Sequence, residues 1–126
     1  MALLLGVDKA APLIGRLEDR YERLAIVESP LPQDDVAGNK LLRQKIRSPI
    51  SMHFGSPPVM TAIGEGVCDG FVIGGGVKRV LDEGTLAAQA KMPFWLQMVG
   101  TGLTTTFAVH LGAVLKEARW PAIPCI

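Results

Sequence analysis

Gly70-Phe71-Val72-Ile73, followed at once by Gly74-Gly75-Gly76 and a helix-length run from Val77 to Lys91, decides the fold class of this chain. Four apolar residues closed by a glycine turn are too short for a helix and read as a buried strand. The same grammar recurs on both sides. Downstream, Phe94-Trp95-Leu96-Gln97-Met98 reads as a strand, with a last helix from about Gly102 to Lys116. Upstream, Pro49-Ile50-Ser51-Met52-His53 is a short strand stopped by Phe54-Gly55-Ser56-Pro57-Pro58, and a short helix follows from Pro57 to about Glu65. A helix fits Asp35 to Ile46, with Val36, Leu41, Leu42 and Ile46 inward. Before it, Leu24-Ala25-Ile26-Val27 is an apolar run that ends at Glu28 and is broken by Ser29-Pro30-Leu31-Pro32. Ala10, Ala11, Leu13, Ile14, Leu17, Tyr21 and Leu24 fall at three- and four-residue steps, which predicts an amphipathic helix with those residues inward.

Short strands separated by helices are βα units, so the strands should be parallel and covered on both faces. Right-handed crossovers leave two layouts, an open doubly wound sheet or an arc of a (β/α)8 barrel. A whole barrel takes about 250 residues, and this chain has 126. On the barrel reading it is therefore about half of one. The edges such an arc leaves open invite pairing with another chain.

Composition removes several function classes. Hydrophobic residues make up 48% of the chain and the net charge is +1, so it should fold around one core rather than stay disordered. No block of Lys and Arg exists to bind a polyanion, which argues against a nucleic-acid partner. Two cysteines, Cys68 and Cys125, are too few for a disulfide framework and suit a reduced, cytoplasmic chain. Ala2–Val7 is too short an apolar run for a signal peptide. Met92 to Leu115 carries no formal charge and is long enough to cross a bilayer. Its Pro93, Gln97, threonines and His110 favour a buried strand and a buried helix instead, with no membrane partner.

In either layout chemistry gathers beyond the C-terminal ends of the strands. Those ends carry Glu28, His53, the Gly74-Gly75-Gly76 turn and Gln97. An acidic group closing an apolar strand is expected to be solvated, paired or bound to a cation. An imidazole one unit away can ligate a metal or carry a proton near neutral pH. The glycine turn could cradle a phosphate, although it lacks the spacing of a dinucleotide site. His110, on an apolar face of the last helix, reads as structural. Cys68 reads as packing, and Thr101 and Thr104 to Thr106 as caps and polar lining.

At these residues the sequence resembles the mandelate racemase and muconate-lactonising branch of the enolase superfamily. Leu24-Ala25-Ile26-Val27-Glu28-Ser29-Pro30-Leu31-Pro32 is similar to that family's strand, glutamate and proline segment. Leu42-Arg43 with Ser48-Pro49-Ile50-Ser51 is similar to its step into the following strand. Gly66-Val67-Cys68-Asp69, Gly75-Gly76, Ala87-Ala88-Gln89-Ala90 with Met92-Pro93, and His110-Leu111 continue the match in order.

The resemblance implies the C-terminal portion of a (β/α)8 barrel over residues 1–126, with the capping domain and first barrel strands preceding it. It implies Mg²⁺ or another divalent metal held by carboxylates on consecutive strands, and a small carboxylate or acid-sugar substrate that reacts through an enediolate. Glu28 matches a metal ligand. The next ligand falls where His53 and Phe54 stand, so His53 becomes a substitute ligand or base. The family's base falls near Gly74, or at Asp69 in a shifted alignment. Its histidine falls near Gln97, which would orient the substrate, and a late carboxylate falls near Ala122. The expectation is a metal-dependent racemase, dehydratase or cycloisomerase with an incomplete catalytic set, in a homo-oligomer. The alternative is a non-catalytic half-barrel serving as an assembly partner.

Overall fold

A computed structural model describes residues 6–122 of the chain. The chain divides into two compact units, Met1–Asp69 and Gly70–Ile126. Four strands alternate with five helices along it.

The first unit holds α1 (Val7–Arg20), β1 (Val27–Glu28), α2 (Val36–Lys45), β2 (Ile50–His53) and α3 (Val59–Glu65). β1 and β2 pair in parallel, with Val27 opposite Ile50 and Glu28 opposite Ser51. The ladder is extended at both ends. Val27 N–H donates to the Pro49 carbonyl and Ser29 N–H to that of Ser51, both at 2.9 Å. Parallel strands need a crossover, and α2 supplies it. Asp35 caps this helix by accepting from Gly38 N–H at 2.8 Å. One turn later the buried Asn39 amide donates to the carbonyls of Pro32 and Asp35, tying the loop after β1 to the helix.

The strand expected at Leu24–Val27 is shorter and later than its apolar run. Leu24 N–H turns back to the Tyr21 carbonyl, so pairing starts only at Val27. On α1 the inward face is also narrower than the periodicity predicts. Ala10 and Ile14 are buried, whereas Leu13, Leu17 and Tyr21 are exposed. On α2, Leu42 is buried and Leu41 is exposed, because neighbours in a helix sit about 100° apart and only one can face the sheet.

Asp69 anchors the start of β2. Its N–H donates to the Ile50 carbonyl and its Oδ2 accepts from Ile50 N–H at 2.9 Å. Its other oxygen accepts from Arg43 Nε at 2.8 Å. Cys68, directly before it, is buried.

The second unit holds β3 (Gly70–Ile73), α4 (Val77–Gln89), β4 (Phe94–Leu96) and α5 (Gly102–Val114). β3 and β4 are parallel, with Phe71, Val72 and Ile73 opposite Phe94, Trp95 and Leu96. All seven strand residues are buried. Gly84 lets α4 approach the sheet: a Cβ there would stand 3.2 Å from the Phe94 ring. After α5 the chain returns to the start of β4, where Phe94 N–H donates to the Glu117 carbonyl and Trp120 N–H to that of Phe94.

The buried helix expected after Phe94 is in fact mostly exposed. Only Ala108 and Leu111, three residues apart on one face, are buried, while Leu103 is 81% and Val114 73% exposed. His110 is exposed as well, so its expected apolar surroundings are absent. Among the described residues no helix is long and apolar enough to cross a membrane. Cys125 and most of Ala2–Val7 lie outside the described residues.

Candidate functional site

Glu28 and His53 meet. Each is the last residue of its strand, and parallel register sets the two ends side by side. Glu28 lies beside Ser51, and His53 lies two residues beyond Ser51. All three side chains therefore project from one face of the β1–β2 ribbon. His53 Nε2 stands 3.0 Å from Glu28 Oε1, with side chains 46% and 36% exposed. A partly solvated pair at this distance keeps its polar atoms available to a ligand.

Several local features hold the pair. Ser29, directly after Glu28, has a positive φ of 43°. Such a turn lifts the chain off the sheet immediately after the acid, and Leu31 then drops back into the core. The His53 backbone N–H donates to Gln33 Oε1 at 3.2 Å, which fixes the end of β2 from the loop after β1. Two hydroxyls beside the pair, Ser29 Oγ and Ser51 Oγ, are buried without a hydrogen-bond partner among the described residues. A hydroxyl in the middle of an otherwise apolar buried strand was the sequence signal for Ser51. Ser29 gave none, since serine does not mark a left-handed position.

Asp69 belongs elsewhere. It is bound to the first residue of β2, whereas His53 is the last, so the shifted alignment that would make Asp69 a base is overturned. All its hydrogen-bonding capacity seen here goes to Arg43 and Ile50. A cleft of about 170 Å³ lined by Glu18, Tyr21, Leu24, Arg47 and Ser48 reaches Pro49, also at the start of β2. It lies at the strand end away from the Glu28–His53 pair.

In the second unit Gln97 follows β4 and is partly exposed, its N–H donating to the Ile73 carbonyl at 3.0 Å. The expected base position, Gly74, is closed to any side chain. A Cβ there would fall 2.2 Å from the Gln97 carbonyl oxygen. The glycine turn is thus explained by the close approach of two strand ends. The basic residues of the first turn of α4, Lys78 and Arg79, are engaged with Asp82 and Glu83 one turn on. Ala122, where a late carboxylate was expected, is an exposed alanine.

No family model matches the sequence, and no curated protein matches it. Solved structures do. A mandelate racemase/muconate lactonizing family protein from Azoarcus sp. EbN1 is 30% identical, with a TM-score of 0.75 over 94% of this chain and 33% of its own. A dipeptide epimerase from Cytophaga hutchinsonii, solved with Mg and the dipeptide D-Ala-L-Val, is 23% identical with a TM-score of 0.72. The match covers 96% of this chain and 34% of that one. An enolase from Bradyrhizobium, solved with magnesium and mandelic acid, is 24% identical with a TM-score of 0.71 over 97% and 33%. The chain spans about a third of the length of these proteins. In fold, and at 30% identity in sequence, the chain is similar to proteins of the mandelate racemase/muconate lactonizing family of the enolase superfamily.

Proposed function

We propose that the chain is a barrel segment of an enolase-superfamily type of enzyme, one that binds a small carboxylate or acid-sugar substrate and moves a proton next to its carboxylate. The observation that carries this reading is the 3.0 Å approach of Glu28 and His53 at adjacent strand ends. Both relatives solved with magnesium motivate the cofactor part of the proposal.

The donors present fit a divalent cation in part. Two ligands sharing one ion at about 2.1 Å each, near a right angle, stand about 3 Å apart, which is the separation seen. The donor set is one carboxylate oxygen and one imidazole nitrogen. That mixture suits Mn²⁺ or Zn²⁺ better than Mg²⁺, which prefers oxygen alone. Among the described residues no cluster of three or more His, Cys, Asp or Glu side chains could hold a metal. Glu28 and His53 would hold the ion, with further ligands coming from substrate or from residues beyond those described. An ion held there would supply stabilisation of negative charge developing beside the substrate carboxylate. Glu28 orients the imidazole, the Ser29 turn keeps the carboxylate at the strand end, and Gln97 offers a neutral amide that can hydrogen-bond but cannot carry a proton.

Calorimetric titration of the whole chain with Mn²⁺, Zn²⁺ and Mg²⁺ tests the site. Glu28→Ala and His53→Ala should each weaken binding of Mn²⁺ and Zn²⁺ by at least about tenfold. Unchanged affinity in both variants would refute the assignment. The reading also includes a cytoplasmic setting and self-association into a homo-oligomer.

A further inference from the structure

Trp95 presents a polar atom that nothing among the described residues uses. The residue is 4% exposed, and its indole Nε1–H is buried with no hydrogen-bond partner. Buried indole N–H groups normally find an acceptor, and one left without costs about 1–3 kcal/mol. Its direction on the strand follows from its neighbours. The Phe94 ring lies against Gly84 of α4, and the Leu96 side chain lies 3.8 Å from where a Cβ on Gly112 of α5 would stand. Those two side chains face the helices. Alternation along β4 then turns Trp95 and Gln97 to the opposite face. That face is walled by Val72 at the level of Trp95, and it opens at Gln97, which is partly exposed. Beside Gln97, Gly74 adds no side chain that could close it.

We propose that Trp95 and Gln97 form a two-donor subsite on β4 that receives a carboxylate oxygen of a ligand, the indole N–H from below and the carboxamide from the rim. Both donors are neutral. They can therefore bind an anion without a competing salt bridge, and the orphaned N–H gains the acceptor it lacks. Most buried donors are satisfied within the fold, so an orphaned indole N–H is an exception that a ligand acceptor would remove. The proposal rests on the carboxylate-ligand reading above and concerns the second unit by itself.

The test uses the whole 126-residue chain with Mn²⁺ present. Formate and mandelate serve as carboxylate probes, and the two indole N–H resonances are followed by NMR. Trp120→Phe identifies which resonance belongs to Trp95. The expected result is a downfield shift of the Trp95 N–H with either probe. Trp95→Phe, which keeps the apolar bulk and removes the donor, should weaken probe binding about tenfold. It should leave the midpoint of urea unfolding unchanged or raised. A structural hydrogen bond would instead lower that midpoint, which would overturn the proposal. An unmoved Trp95 resonance also overturns it, and needs no variant. If probe binding then still responds to Glu28→Ala, the parent reading survives alone. If the native chain binds neither probe, both readings fall.

Discussion

Ser29 holds a left-handed backbone directly before a proline, a combination that serine adopts at a cost of about 1 kcal/mol. Its N–H completes the ladder to Ser51, so the strain is tied to the place where Glu28 leaves the sheet. Ser29→Gly should stay within about 1 kcal/mol of the native stability, since relief of strain offsets the added chain entropy. Ser29→Val should lose about 2 kcal/mol or more, because a β-branched residue resists positive φ. Chemical denaturation of the two variants separates these outcomes. Glu18 makes a second residue-scale case. Burial would push its carboxyl up, but the backbone N–H and hydroxyl of Ser48, the Arg47 N–H and the Arg47 charge together hold it below its ordinary value of 4.5. A depressed acid stabilises the fold above its unfolded pKa and loses that contribution as pH falls through the folded value. Stability should therefore decline as pH drops below 4.5. Glu18→Gln should show a shallower decline in urea midpoints over the same acidic range.

At the scale of elements, the two glycines around Gly75 differ in what they do. A Cβ on Gly74 would meet the Gln97 carbonyl, a backbone atom that cannot swing away. Gly74→Ala should cost about 3 kcal/mol, read as a lower unfolding midpoint. Gly76 is the N-cap of α4, has an extended φ of −70°, makes no side-chain cap and has open space around its Cβ position. Gly76→Ser should add the missing cap and stabilise the chain by a few tenths of a kcal/mol up to about 1. These opposite signs within one turn distinguish strand-end crowding from helix capping. The order of elements was legible because glycine and proline punctuate locally and apolar runs have characteristic lengths. The start of β1 was not. Leu24 to Ile26 are as apolar as Val27, and only the turn from Tyr21 excludes them from the ladder.

At the scale of the molecule, α5 leaves Leu103, Val109 and Val114 exposed, each by two thirds or more. Isolated exposed apolar residues are ordinary, but three on one helix favour association. Leu103→Glu combined with Val109→Lys should reduce the apparent mass seen by light scattering at high concentration. Because neither residue is buried, thermal stability should change by less than about 1 kcal/mol. An unaltered mass would place any self-association elsewhere.

The sequence by itself determined the alternation of strands and helices, the parallel character of the strands, and the family resemblance carried by short motifs in order. It also placed Glu28, His53 and Gln97 at strand ends. The resemblance rests on matched motifs, and the rest follows from periodicity, breaker residues and spacing, which are properties of neighbours along the chain. Tertiary structure alone decided that Glu28 and His53 come within 3.0 Å. It alone consumed Asp69 in anchoring β2, closed Gly74 to a side chain, and left the Trp95 N–H without an acceptor. Those outcomes depend on distances between residues many positions apart, and such distances are set only when strands pair in register and helices settle on them.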